Sequence, residues 1–200
     1  MRVHKIIEKT YAEGPGCRFC IWVQGCSHHC EGCFAVDTWD YNAGYEFSVT
    51  DILQRIEAVK KDICGITLLG GEPFDKADEL SFVAEKVKSW HKTVIAFTGY
   101  TYEFLSESDN ASWGRLLSCT DLLIDGEFEK DKLDYSKPLI GSSNQRFVFL
   151  TKAFTEDEII AYENRFEIRV LGNGKITFNG MGNIDKLQKY VKKIEGANNG

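Results

Sequence analysis

Cys26, Cys30 and Cys33 stand at C-x3-C-x2-C spacing in the run Cys26-Ser27-His28-His29-Cys30-Glu31-Gly32-Cys33. A loop this short lets three thiolates wrap one face of a cubane iron–sulfur cluster, and soft, charged sulfur donors suit iron. A cubane holds four irons, so three cysteines leave one iron without a protein ligand, where a ferredoxin would supply a fourth cysteine. The deficit points to redox chemistry at an open iron that binds a small molecule. Five of the seven cysteines fall between Cys17 and Cys33. Where thiols are kept reduced, such crowding favours metal over disulfides.

Cys17-Arg18-Phe19-Cys20 also has the spacing of a zinc knuckle, so zinc or a second cluster stands as an alternative. Residues 18–24 read as a strand, however. An offset of three in extended chain places two side chains on opposite faces, roughly 10 Å apart. Cys64 and Cys119 are isolated in sequence and read as buried apolar thiols.

A site needs elements to hold it. The runs Ile66-Thr67-Leu68-Leu69, Thr93-Val94-Ile95-Ala96-Phe97, Leu122-Leu123-Ile124 and Phe147-Val148-Phe149-Leu150 are apolar without alternation. That pattern fits strands buried on both faces, as in a parallel sheet. Helical stripes separate them: Ile52, Leu53, Ile56 and Val59, then Ala77, Leu80, Ala84 and Val87, then a helix over 113–117. The alternation reads as α/β. Towards the end, Thr155 and Glu158 have capping-box spacing for a helix to about residue 165. Gly172-Asn173-Gly174 between Ile168-Arg169-Val170-Leu171 and Lys175-Ile176-Thr177-Phe178 predicts a hairpin, with a last helix near 184–194.

Ligands of parallel α/β folds gather at the carboxyl ends of strands. Those ends carry Gly25-Cys26, Gly70-Gly71-Glu72-Pro73, Thr98-Gly99-Tyr100 and Asp125-Gly126. Ser142-Ser143-Asn144-Gln145-Arg146 leads into the following strand. Glycine admits a ligand close to the backbone, and Thr, Asp and Asn can fix its polar groups.

The chain has 200 residues with 43% hydrophobic and 27% charged, enough for one ordinary globular core. A net charge of −6 argues against a nucleic-acid partner. No apolar run reaches membrane-spanning length and the first residues lack the core of a secretory signal, so a cytoplasmic protein is expected.

The ordered set of motifs resembles the radical S-adenosylmethionine superfamily, and within it the activating proteins of anaerobic ribonucleoside-triphosphate reductase. The resemblance rests on Gly14-Pro15-Gly16, Gly25-Cys26, the three spaced cysteines, Gly32-Cys33-Phe34, Thr38-Trp39 and Gly70-Gly71-Glu72-Pro73. Thr98-Gly99-Tyr100, Asp125-Gly126-Glu127-Phe128 and Gly141-Ser142-Ser143-Asn144-Gln145-Arg146 extend it to about residue 150. It implies a partial (β/α)6 TIM-type barrel, open on one side. The core would span residues 1–150, with 151–200 as a hairpin-plus-helix extension on the same domain. It implies one [4Fe-4S] cluster on Cys26, Cys30 and Cys33, with S-adenosylmethionine on the open iron. Reductive cleavage of that cofactor would give a 5′-deoxyadenosyl radical, which takes a hydrogen from a glycine of the reductase. Gly70 and Gly71 would approach the cofactor's amino group, with Glu72 near, and Gly32, Cys33 and Phe34 would line its adenine side. Thr98, Asp125 and Asn144 are candidates for its remaining polar groups. A reduced flavodoxin or ferredoxin would supply electrons.

The chain departs from the resemblance by running about 50 residues past the point where such activators often end, which leaves the hydrogen-donating partner open. The same chemistry on another protein or peptide is one alternative. A non-catalytic zinc or iron–sulfur interaction module is another. His28 and His29 read as solvated loop residues, His4 and His91 as incidental. Trp22 and Trp39 read as core residues near the loop. Lys186, Lys189, Lys192 and Lys193 read as a solvated helix face.

Overall fold

A strand buried on both faces belongs in the middle of a sheet, and Arg18–Val23, with every side chain buried, occupies such a place. The computed structural model describes residues 1–170, 172, 174 and 176–182. In chain order the elements are β1 (Arg2–Thr10), β2 (Arg18–Val23), β3 (Tyr45–Glu46), α1 (Val49–Val59), β4 (Gly65–Gly70), α2 (Ala77–Ser89) and β5 (Thr93–Phe97). Then come α3 (Tyr102–Ser106), α4 (Ala111–Cys119), β6 (Leu122–Asp125), β7 (Arg146–Phe149), α5 (Glu156–Ile160), β8 (Phe166–Val170) and β9 (Ile176–Gly180).

The main sheet has the order β3-β1-β2-β4-β5-β6-β7. β2, β4, β5 and β6 are parallel, with Arg18 opposite Gly65 and Thr67 opposite Ile95. The strands flanking this parallel set run the other way: β1 is antiparallel to β2, and β7 to β6, while the short edge strand β3 is antiparallel to β1. The expectation for the strand near Phe147 was a parallel one. A parallel neighbour needs a crossover to the far end of the sheet. Between β6 and β7 the chain forms only a short 3-10 turn, Lys130–Lys132, and returns from the end it reached. β1 was not anticipated at all, because lysine and histidine interrupt its apolar residues.

Alternation along β2 divides the core. Phe19, Ile21 and Val23 join the cluster under the helices, with Ile52 and Ile56 of α1, Leu80 of α2 and Leu116 of α4. Cys20 and Trp22 point to the opposite face, where they pack with Leu69. Cys17 lies in the helix-side cluster, so Cys17 and Cys20 are on opposite faces. Cys119 is buried. Cys64 is not: it is exposed in the turn before β4, which corrects its reading as a core thiol.

Arg18 is wholly buried, with no carboxylate in contact among the described residues, donating to Thr67 Oγ1 at 2.7 Å and Thr93 Oγ1 at 3.0 Å. Burial pulls its guanidinium down to about 10. The capping box read at Thr155 and Glu158 is formed, but α5 ends at Ile160 rather than near 165. β8 and β9 pair antiparallel, Val170 opposite Ile176. The helix expected near 184–194 lies outside the described residues. Among the described residues no helix is long and apolar enough to cross a membrane.

Candidate functional site

The site begins where β2 and β4 end side by side. Gly71 N donates to Val23 O at 2.9 Å, and Glu72 N to Gly25 O at 2.8 Å. The glycines are sterically required. A Cβ on Gly71 would lie 2.0 Å from Gly25 O, and one on Gly25, at φ +100°, would lie 2.3 Å from the Tyr41 ring. This contact sets Gly70, Gly71 and Glu72 against the start of the cysteine loop.

The loop coils back through His29 and Gly32, both in the left-handed region, and closes with Cys33 N donating to Cys30 O at 3.1 Å. Each thiol has a backbone donor. His28 and His29 N–H groups face Cys26, Phe128 N–H faces Cys30, and Ala35 N lies 3.4 Å from Cys33 Sγ. Such donors favour the thiolate, yet burial dominates and pushes the Cys26 thiol up to about 11 and Cys30 upwards too. A bound cation reverses that balance, because metal ligation deprotonates the thiol.

All three thiols open onto one cavity of about 480 Å³. Phe34, Gly70, Gly71, Glu72 and Thr98 line it as well. Among the described residues no three His, Cys, Asp or Glu side chains are gathered tightly enough to hold a lone metal ion. The donor set that faces the cavity is three soft thiolates beside two glycines whose backbone is open to a ligand. That set fits an iron–sulfur cluster with one unclaimed iron.

Glu72 is the hub of this end. Its Oε1 accepts from Phe74 N and Thr98 Oγ1, both at 2.9 Å, and its Oε2 accepts from Gly99 N at 2.9 Å. His28 corrects the solvated-loop reading. Its side chain is 9% exposed, with Nδ1 2.9 Å from Glu127 Oε1 and the ring edge-on to Tyr100. Nε2 lies 3.2 Å from Glu72 Oε2, close enough for an ion pair but misaligned for a hydrogen bond. Glu72 first and Glu127 second, against burial, hold the imidazole up at about 9, so it is cationic at neutral pH. His29 is exposed and stacks on Trp39.

Three predicted residues lie away from the cavity lining. Gly32 faces the Lys130 side chain. Asp125 is buried, accepting from Tyr102 N at 2.8 Å and from Arg146 Nη2 at 2.5 Å. Asn144 Nδ2 donates to Glu127 O at 2.8 Å, while its Oδ1 is buried without a partner among the described residues. Tyr100 and Glu127 stood in the sequence only as motif members with no assigned role, and Asp75 was passed over; all three surround the loop. Tyr100 OH and Ser27 Oγ are 3.1 Å apart, and Tyr100 OH donates to Asp75 Oδ1 at 3.2 Å. Their signal was position, since each stands just past a strand end.

Residues 12–148 match the family model described as a 4Fe-4S single cluster domain. The chain is 33% identical over 151 residues to the anaerobic ribonucleoside-triphosphate reductase-activating protein of Enterobacteria phage T4, covering 73% of this chain and 92% of that protein. The proteins of the same name from Pasteurella multocida and Escherichia coli K12 are 37% identical over 139 residues and 29% over 152, spanning 87% and 96% of their own lengths. On those matches, the chain belongs to the family of anaerobic ribonucleoside-triphosphate reductase-activating proteins, with a 4Fe-4S single cluster domain.

Proposed function

We propose that the chain is a radical S-adenosylmethionine enzyme that installs a glycyl radical on an anaerobic ribonucleoside-triphosphate reductase. Cys26, Cys30 and Cys33 are the ligands of its one [4Fe-4S] cluster, and S-adenosylmethionine occupies the open iron. The sheet from β1 to β7 is read as a partial, open TIM-type barrel over residues 1–150, and the rest as an extension of it. Held by those three thiolates, a reduced cluster would supply the electron for reductive cleavage of S-adenosylmethionine, the chemistry needed to take a hydrogen from the partner's glycine.

The chain's own residues bind and orient. Gly70 and Gly71 present bare backbone to the cofactor's amino and carboxylate groups. Glu72 is spent on Thr98, Phe74, Gly99 and His28, so it fixes the walls rather than acting as a free base. Phe34, on the cavity wall and packed near Phe128, offers an apolar face to adenine. Gly32, Asp125 and Asn144 then act indirectly, through the loop turn and through Glu127 and Arg146. Electrons come from a reduced flavodoxin or ferredoxin.

The observation that carries this reading is the convergence of three thiols and the Gly70-Gly71-Glu72 backbone on one cavity. It is tested by mixing reconstituted protein, reductant, S-adenosylmethionine and the reductase without oxygen. A glycyl-radical signal on the reductase is expected in electron paramagnetic resonance. Cofactor cleavage without that signal would move the reading to another protein or peptide, and zinc in place of iron and sulfide would end it.

A further inference from the structure

The family match stops at residue 148, yet the cavity does not. Its wall continues onto the β8–β9 hairpin, through Phe166, Phe178, Asn179 and Met181. The hairpin is fastened to β1 and the loop after it. Lys5 Nζ donates to Phe178 O at 3.3 Å, Tyr11 N to Glu167 Oε1 at 2.6 Å, and Arg169 Nη2 to Lys9 O at 3.0 Å. Asn179 Nδ2 reaches both Thr10 Oγ1, at 3.0 Å, and Glu13 Oε1, at 3.1 Å. Asn179 and Glu13 are buried, so this tie is made inside the molecule rather than on its surface. Gly180, at φ +114°, brings β9 so close to the chain that a Cβ would lie 1.8 Å from Arg165 O.

The cavity is therefore lined by aromatic residues from two sources. Phe34 and Phe128 come from the matched region, and Phe166 and Phe178 from the added hairpin. A peptide segment carrying the reactive glycine has no side chain there and shows flat, bare peptide planes. Aromatic rings are suited to packing on such planes with little loss of side-chain freedom.

We propose that the β8–β9 hairpin is a specificity-determining wall of this cavity: Phe166 and Phe178 contact the glycine-bearing segment of the protein partner, and the Asn179–Glu13 tie holds them in position. This rests on the function proposed above. The test measures glycyl-radical formation against partner concentration for reconstituted Phe166→Ala, Phe178→Ala and Asn179→Ala, with 5′-deoxyadenosine followed in parallel. KM for the partner is expected to rise about tenfold in either phenylalanine variant while kcat changes less than about threefold, with Phe178→Leu recovering most of the loss. An unchanged KM in all three variants would overturn the proposal. So would equal losses in kcat and cluster content, since those mark a purely structural hairpin. If wild-type protein cleaves S-adenosylmethionine but never radicalises the reductase, the proposed function has failed and the hairpin's role falls with it.

Discussion

A buried carboxylate organises each end of the cavity, and the two are held in different ways. Glu72, at the thiol end, is anchored by the ends of parallel strands: it takes donors from Phe74, Thr98 and Gly99 and lies against a cationic His28. Glu13, at the hairpin end, takes one side-chain donor, Asn179, and the Gly180 backbone, with Lys5 as the nearest opposite charge. Burial outweighs those partners and raises Glu13 to about 7. Lys5 is itself lowered, chiefly by burial. The thiol end is thus set by the central sheet. The hairpin end is held by scattered ties to Lys5, Lys9, Thr10 and Tyr11 and by a carboxylate that burial has raised, which suits a part that distinguishes partners rather than one that performs the chemistry.

The largest expected effects lie at the thiol end. Cys26→Ala, Cys30→Ala and Cys33→Ala should each abolish cluster assembly, read from bound iron and sulfide after anaerobic reconstitution. Cys17→Ala should keep the cluster, because that side chain packs on the helix side of the sheet. Loss of the cluster in Cys17→Ala would mean that the loop is not the site. Next comes Gly71→Ala. Its Cβ would sit 2.0 Å from Gly25 O, so the ends of β2 and β4 must part. A loss of about 2–4 kcal/mol in urea unfolding is expected, together with weaker S-adenosylmethionine binding. Unchanged binding would show that the paired strand ends do not shape the cofactor site.

The thiol end was also the more legible in sequence. Its central strands announced themselves by apolar runs, and its cysteines by spacing. His28 was misread because its partners are distant in the chain: Glu127 is 99 positions away. Nothing local marks a histidine that two remote carboxylates will enclose. At the other end, β1 hid its strand character behind His4 and Lys5, which now line the cavity. Glu13, just before Gly14-Pro15-Gly16, carries no local mark of burial. It is 2% exposed because the hairpin, more than 150 residues later, lies over it. The hairpin itself was readable from its turn residues, but where it docks depends on a tertiary contact that no local pattern encodes.

That contact gives the comparison a pH test. Glu13 titrates near 7 in the folded protein against an ordinary value of 4.5. Between those values the folded state holds the extra proton. Its contribution is therefore fully present below about pH 4.5 and is lost as pH rises through 7. The gap sets an upper bound of about 3 kcal/mol. The groups facing Glu13 are Lys5 on β1, Cys20 on β2, Tyr162 after α5, Glu167 on β8 and Asn179 on β9, with Arg169 of β8 behind them, reaching Asn179 and Lys5. The urea midpoint should fall as pH rises, and Glu13→Gln should flatten the part of that slope between pH 4.5 and 6.5, below the range in which His28, held up at about 9, contributes its own. Parallel slopes for the two proteins would remove Glu13 as the titrating latch.

The smallest effect probes how the loop that carries Glu13 is itself supported. Tyr162 OH donates to Tyr11 O at 2.6 Å and accepts from Gly14 N at 3.3 Å, pinning the loop in which Glu13 sits. Burial, the first cause, pushes its phenol up to about 12, so it stays a neutral donor throughout the working pH range. Tyr162→Phe removes both bonds and leaves the ring. A loss of about 1 kcal/mol is expected, independent of pH between 5 and 8. Combined with Glu13→Gln, the loss should exceed the sum of the single changes if loop and hairpin dock as one unit. Simple additivity would instead mean that the loop stays in place when the hairpin lifts, and that the two are held separately.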